Sequence, residues 1–123
     1  MVEDEDNLTI EEVVYICNKA QIENIEVKKN NPFNTKTGDF IDRYDINPNQ
    51  IKSIINDLTI NDYHSGPLQD FNPNNKHPLW VFIKNTLIKN LRIYIYIKIK
   101  IIDHKRKIIV YSLHEEGMHN EKK

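Results

Sequence analysis

The clearest alternation of apolar and polar positions in the chain runs from Leu91 to Ile102, LRIYIYIKIKII. Isoleucine occupies every second position, and basic or tyrosine side chains occupy the positions between. A period of two is typical of a β-strand, because successive side chains of a strand point to opposite faces of a sheet. The pattern therefore predicts a strand that buries its isoleucines. Its other face, exposed to solvent, would carry Arg92, Tyr94, Tyr96, Lys98 and Lys100.

Two shorter apolar runs flank this strand and predict its neighbours. Trp80 to Lys84 precedes it, and Lys107 to His114 follows after a turn at Asp103 to Arg106. Strands joined by such short connections, here including a connection over Asn85 to Asn90, form an antiparallel meander.

The face of the last strand stays open between two registers. In one register Ile109, Tyr111 and Leu113 join the core. The outer face would then hold Ile108, Val110, Ser112 and His114. The opposite register buries Val110 but also buries His114, because a shift of one residue exchanges the two faces.

Capping signals and helical spacing predict the helices that precede the meander. A capping-box spacing at Thr9 predicts a helix from Ile10 to Ala20, and Asn47 followed by Pro48 predicts another that ends near Leu58. A helical turn is expected around Phe40 to Tyr44, and a short strand at Ile25 to Lys29.

The segments between these elements predict turns and loops. Thr59 and Asp62 repeat the capping spacing, which predicts a helical turn carrying Tyr63 and His64 before Ser65-Gly66-Pro67 ends it. Asn30 to Gly38 and Leu68 to Leu79 are expected to be loops, because they are rich in asparagine and proline.

Composition favours one small α+β domain over all 123 residues, with 39% hydrophobic and 28% charged residues. We expect a small antiparallel sheet packed against two or three helices, with flexible ends at 1–7 and 117–123. Neither a membrane-spanning run nor a leader peptide is visible, so a cytoplasmic protein is expected. The single cysteine, Cys17, excludes an internal disulfide and is expected in the core, as are Trp80 and Phe82. We expect no metal and no cofactor.

Charge is distributed unevenly although the net charge is only −1. Residues 1–26 hold eight acidic residues and one basic residue, whereas residues 84–107 hold eight basic residues and one acidic residue. This basic block on the predicted strands favours a polyanionic partner such as RNA. A lysine-rich composition explains part of it without any partner.

Tyrosine, lysine and histidine on one sheet face suit metal-independent cleavage of RNA. A base removes the 2′-hydroxyl proton, an acid protonates the leaving 5′-oxygen, and a lysine stabilises the charge at phosphorus. In the first of the two registers His114 joins Tyr96 and Lys98 on the outer face.

Four motifs in order resemble the MqsR family of bacterial toxins, which is similar in fold to RelE. They are LTxxDYxSGP from Leu58, WVF from Trp80, YIKIK from Tyr96 and SLHE from Ser112. The resemblance implies an mRNA interferase of a type II toxin-antitoxin system, with single-stranded mRNA as substrate and a cognate antitoxin as partner.

The resemblance also implies roles for single residues. The family's active-site tyrosine falls on Tyr96, its neighbouring lysine on Lys98, and its C-terminal catalytic lysine on His114. A lysine of its short helix falls near His64 or Ser65, and a glutamine falls on Val81, which cannot do the same work.

The leading hypothesis is thus an endoribonuclease with His114 as favoured acid or base, together with Tyr96, Lys98 and His64. Further substrate contacts are predicted at Tyr63, Ser65, Tyr94, Lys100, Lys84 and Arg92. The alternative is a non-catalytic module whose basic sheet face binds RNA or an acidic partner.

Overall fold

The computed structural model describes residues 7–28, 35–69, 77–102 and 104–116. Three helices precede most of the sheet: α1 (Ile10–Lys19), α2 (Lys36–Tyr44) and α3 (Pro48–Asn56). The strands are β1 (Ile25–Val27), β2 (Tyr63–Leu68), β3 (Leu79–Ile88), β4 (Leu91–Ile102) and β5 (Lys107–Glu115). Single 3₁₀ turns at Ile22–Asn24 and Ile60–Asp62 precede β1 and β2.

The strands form one mixed sheet in the order β1-β5-β4-β3-β2. β1 is parallel to β5, and all other neighbours are antiparallel. The predicted α+β class and the β3-β4-β5 meander are confirmed. The sheet has one strand more than predicted, because β2 extends the meander at one edge. The predicted short strand at Ile25 is present as β1, and its parallel pairing with β5 makes the sheet mixed rather than antiparallel.

Alternate residues of β4 form the centre of the buried face of the sheet. Its five alternating isoleucines, Ile93 to Ile101, are each at most 5% exposed and belong to one core with the inner faces of the helices. The predicted core positions of Cys17, Trp80 and Phe82 are confirmed. None of the helices in the described ranges is both long and apolar enough to cross a bilayer.

Reciprocal capping joins the ends of α1 and α3. The predicted N-terminal caps are present at Thr9 and Asn47. At the other ends, Asn18 Nδ2 donates to the carbonyls of Asn56 and Leu58 at 2.8 and 2.9 Å. Asn56 Nδ2 donates in turn to the last carbonyls of α1 at 2.9 and 3.1 Å. Each asparagine therefore satisfies backbone acceptors at the other element's end.

Three local predictions are wrong. The loop predicted to reach Gly38 already contains the start of α2, where the buried hydroxyl of Thr37 accepts from Leu113 N at 3.0 Å. The helical turn predicted after Thr59 is present at Ile60–Asp62 with its capping box, but Tyr63 and His64 lie beyond it, in strand β2. Packing on β5 and pairing with β3 explain these two differences, because such contacts override weak local preferences.

The third difference concerns the connection between β3 and β4. Asn85 to Asn90 was expected to be irregular, but β3 continues to Ile88, and only Lys89 and Asn90 form the turn. Both turn residues have positive φ, 51° and 68°. This conformation at both central positions is that of the tight hairpin turns whose twist matches the flanking strands.

Several predicted segments lie outside the described residues. These are residues 1–6 and 117–123 of the two ends, Lys29 of the first predicted strand, 30–34 of the first predicted loop, 70–76 of the second, and Asp103 of the last turn.

Candidate active site

A β-bulge decides which side chains of β5 share a face with β4. Lys98 lies opposite Ser112, whereas the next residue of β4, Ile99, lies opposite Val110, so Tyr111 is an extra residue in β5. An extra residue shifts the alternation of side chains by one. Ser112 and His114 therefore lie on the outer face, while Val110 lies on the core face.

Neither predicted register holds for the whole strand. The outer-face placement of Ile108 and Val110 is wrong, because both lie opposite core isoleucines of β4 and are buried with them. The core placement of Ile109 is also wrong, because Ile109 lies opposite Lys100 on the outer face. The outer-face placement of His114 is confirmed. The bulge thus allows Val110 to lie in the core while His114 stays on the outer face, away from the isoleucines.

Tyr96 and His114 face each other directly across β4 and β5. Their rings are stacked, with centroids 5.2 Å apart and an interplanar angle of 20°. His114 is only 3% exposed, and its Nδ1 lies 3.0 Å from the Glu115 carbonyl oxygen. Because a carbonyl oxygen only accepts, Nδ1 donates the proton of this hydrogen bond.

The Tyr96 phenol is half-buried beside this imidazole. Burial raises the pKa of the Tyr96 phenol above its ordinary value, because the charged phenolate loses hydration. The hydroxyl is therefore protonated at neutral pH and can donate a hydrogen bond or a proton.

A row of side chains crosses the sheet next to this pair. Ser65 on β2 lies opposite Val81, Val81 lies opposite Lys98, and Lys98 lies opposite Ser112. Two inter-strand steps separate Ser65 from Lys98, which is about 10 Å. His64 joins this row through Ser65, since its Nδ1 lies 3.1 Å from the Ser65 Oγ. The sheet register thus assembles three separate sequence motifs on one surface.

The outer face extends toward the β3–β4 hairpin through Tyr94 and Arg92. Tyr94 is 56% exposed, and the Arg92 guanidinium donates to Asn85 Oδ1 at 3.2 Å. These two predicted substrate contacts are on the same face as Tyr96 and are accessible to a ligand.

Lys100 does not belong to the exposed surface that the alternation predicted. It is 2% exposed, and its ammonium lies 5.3 Å from the centre of the Tyr111 ring. Its neighbours across β3 and β5 on this face are Leu79 and Ile109. The exposed fraction of the basic and aromatic side chains therefore falls from the hairpin toward the far end of β4.

Two predicted substrate residues lie away from this face. Lys84 is paired with Ile95, a core-face position, and its ammonium contacts Asp62 at 3.6 Å and the Asp57 carbonyl at 3.1 Å. Tyr63 packs edge-on against Phe82 in the core, and its hydroxyl donates to the Gly66 carbonyl. Lys84 thus connects β3 to the end of α3 and to the turn before β2, whereas the Tyr63 side chain contacts β3 and its own strand.

Sequence reasoning did not select Ser112 as a site residue. It is 3% exposed and is the residue opposite Lys98. A serine among the apolar residues of a predicted strand was the available signal, because a buried hydroxyl requires a polar neighbour. Only the register identifies Lys98 as the side chain opposite it.

In the ranges that the structure describes, no group of three or more His, Cys, Asp or Glu side chains is arranged to hold a metal ion. The groups that the outer face does present are a phenol, an ammonium, an imidazole and hydroxyls. Comparisons of the chain with protein-family models, with curated proteins and with solved structures find no match. The resemblance to MqsR toxins therefore stays a prediction from the sequence motifs.

Proposed function

We propose that the protein is a metal-independent endoribonuclease that cleaves single-stranded RNA on the outer face of β4 and its neighbours. The observation that carries the proposal is the register of β4 with β5, which stacks Tyr96 on His114. Lys98 lies two residues further along the same strand face, about 7 Å from Tyr96. A proton donor and a phosphate-binding cation are thereby held on a rigid element.

The exposure of each group suggests its role. Tyr96 is half-buried and reaches the surface, whereas His114 is almost fully covered. We therefore assign contact with the substrate to Tyr96, and we assign His114 as a positioning residue that orients the phenol. This changes the role expected for His114 but keeps the pair together.

The proposed reaction is transfer of the phosphoryl group to the neighbouring 2′-oxygen. His64, exposed on β2, takes the proton of the 2′-hydroxyl, and the 2′-oxygen attacks phosphorus. Lys98 stabilises the added negative charge, and the Tyr96 phenol gives its proton to the departing 5′-oxygen. The products are a 2′,3′-cyclic phosphate and a 5′-hydroxyl, and water restores the phenol.

Tyr94 and Arg92 supply the proposed binding surface for the adjoining nucleotides. An exposed tyrosine ring offers a platform for one base, and a guanidinium held by Asn85 offers donors to a phosphate. Single-stranded RNA is favoured as substrate because its unstacked bases can reach such a ring.

We further propose that the protein acts in the cytoplasm as the toxin of a type II pair, with a cognate antitoxin protein as partner. Support for this part comes from the four sequence motifs that resemble MqsR toxins. Induction in bacteria should arrest growth, and a neighbouring gene should relieve the arrest. Normal growth on induction would contradict it.

The direct test is incubation of the purified protein with a defined single-stranded RNA in EDTA, followed by mapping of the new ends. Tyr96→Phe keeps the ring on His114 but removes the donor, so cleavage should fall about a hundredfold or more. Tyr44→Phe removes a phenol from the helix side of the sheet and should cleave within about twofold of the parent, since general acid catalysis is untouched. Equal cleavage by Tyr96→Phe and the parent would remove the assignment.

A second candidate function is RNA binding without cleavage. It is favoured by the contrast between the exposed Tyr94 and the covered His114 and Lys100. Under this alternative the RNA affinity falls steeply as salt rises, and no new RNA ends form at any protein concentration. The same incubation separates the two functions.

A further inference from the structure

A basic cleft lies where α1 ends beside the turn between β4 and β5. It has a volume of about 250 Å³ and is lined by Lys19 from α1 and by Lys105 and Arg106 from the turn. Ile108, which faces the helices, forms part of its floor. The cleft is therefore on the helix side of the sheet, opposite to the face of Tyr96 and Lys98.

The three cations of the cleft form no ion pair within the part of the chain that the structure describes. Its ion pairs involve other side chains, and the Lys19 ammonium lies instead 5.6 Å from the centre of the Tyr15 ring. The acidic residues of α1 are Glu11 and Glu12 in its first turn, about 10 Å or more away along the helix. Three basic side chains around one cavity, without an ion pair among the described residues, favour an anion of high charge.

The other groups around the cleft suit a ligand with a ring or an apolar part. Ile16 and Ala20 provide an apolar wall beside the cations. Asn24 Oδ1 accepts from Gln21 N at 2.9 Å, which leaves the Asn24 Nδ2 amide group as a donor. Tyr15, next to Lys19, is 64% exposed, an unusual position for a large aromatic side chain.

We propose that this cleft binds the phosphate group of a nucleotide. Lys105, Arg106 and Lys19 contact the phosphate oxygens, and Tyr15 offers a face on which the base stacks. A phosphomonoester suits the cleft better than a carboxylate, because it carries up to two negative charges and more acceptor oxygens for three cations. The site is independent of the proposed cleavage of RNA, which takes place on the other face.

The first test is calorimetric titration of the intact protein at low salt with AMP, inorganic phosphate and adenosine. AMP and phosphate should bind, AMP more tightly, and adenosine should not. Lys105→Ala should weaken AMP binding about tenfold, since a charge-assisted hydrogen bond is lost. Arg106→Ala should weaken it at least as much.

Lys89→Ala is a matched control for Lys105→Ala. Both lysines lie in turns at opposite ends of β4, and both have left-handed backbone conformations, with φ of 51° and 69°. The two variants therefore remove the same charge at the same backbone cost, which thermal unfolding can verify. Only Lys105→Ala should weaken AMP binding. Equal affinity in the two variants, adenosine binding as tight as AMP, or no saturation at millimolar AMP would overturn the proposal.

The phosphate has two sources with the same chemistry, a free nucleotide and the 5′-phosphorylated end of an RNA. Comparing the affinities for AMP and for a short 5′-phosphorylated oligonucleotide distinguishes them. A 5′-hydroxyl oligonucleotide of the same sequence should bind the parent and Lys105→Ala with equal affinity. Tyr96→Phe should bind AMP like the parent. Failure of the cleavage proposal therefore leaves this binding intact, and loss of AMP binding leaves the cleavage test unaffected.

Discussion

Substitution of His114 separates a structural role of this imidazole from its proposed role in orienting Tyr96. His114→Ala removes both the stack on Tyr96 and the hydrogen bond to the Glu115 carbonyl. His114→Phe removes the hydrogen bond but keeps an aromatic ring against the phenol. The two variants therefore differ in packing and agree in the loss of the ring nitrogens.

The magnitudes follow from the two contacts. A stacked aromatic pair contributes about 0.5 to 1.5 kcal/mol beyond its area, and a buried neutral hydrogen bond contributes about 1 kcal/mol. We expect His114→Ala to lower the free energy of unfolding by about 2 to 3 kcal/mol and His114→Phe by about 1 kcal/mol. For a domain of 123 residues, each kcal/mol corresponds to about 3 to 5 °C in the melting temperature.

Activity should follow the aromatic ring that stacks on Tyr96. If the stack on Tyr96 orients the phenol, cleavage by His114→Ala falls about a hundredfold, whereas His114→Phe retains most of the activity, both measured well below their melting temperatures. The decrease should be in kcat with little change in KM, because His114 does not contact RNA in this assignment. Full activity of His114→Ala, or activity of His114→Phe as low as that of His114→Ala, would refute positioning of the phenol through the stack.

Three further predictions concern stability. Asn56→Ala removes two hydrogen bonds to the carbonyls at the end of α1 and should lower the free energy of unfolding by about 2 kcal/mol, measured by urea titration. The control is Asn49→Ala, an exposed position on the same helix, which should lower it by less than about 0.5 kcal/mol. Gly66→Ala should unfold β2 or the whole chain, because Gly66 has φ of 127° and a Cβ there would lie 2.8 Å from a backbone oxygen of β3; a melting temperature equal to the parent's would contradict this. Two neighbouring lysines lower the pKa of Glu26 to about 2, so its stabilising contribution is present above the ordinary value near 4.5 and disappears as the pH falls toward 2. The melting temperature of Glu26→Gln should therefore be below the parent's at pH 6 and converge with it near the lowered pKa; a difference that stays constant with pH would argue against these ion pairs.

Local patterns were sufficient for the elements whose signals are contained in a few neighbouring residues. The β4 boundaries, the caps at Thr9 and Asn47 and the burial of alternate isoleucines all follow from short-range rules. The start of α2 and the strand β2 did not follow, because each depends on contacts with strands far along the chain. Propensity carries no information about such partners.

The site shows the same division. By itself the sequence determined that Tyr96 and Lys98 share one face of a strand, since a period of two allows no other arrangement. It did not determine the face of His114, because one extra residue at Tyr111 reverses the alternation. Without that bulge, one register exposes Val110 and the other buries His114 among the isoleucines. Tertiary structure decided this through the bulge, and it also decided that Lys100 is covered while Tyr94 is exposed. The reason is physical: alternation is a property of a single strand, whereas register and burial are set by the strands and helices that pack around it.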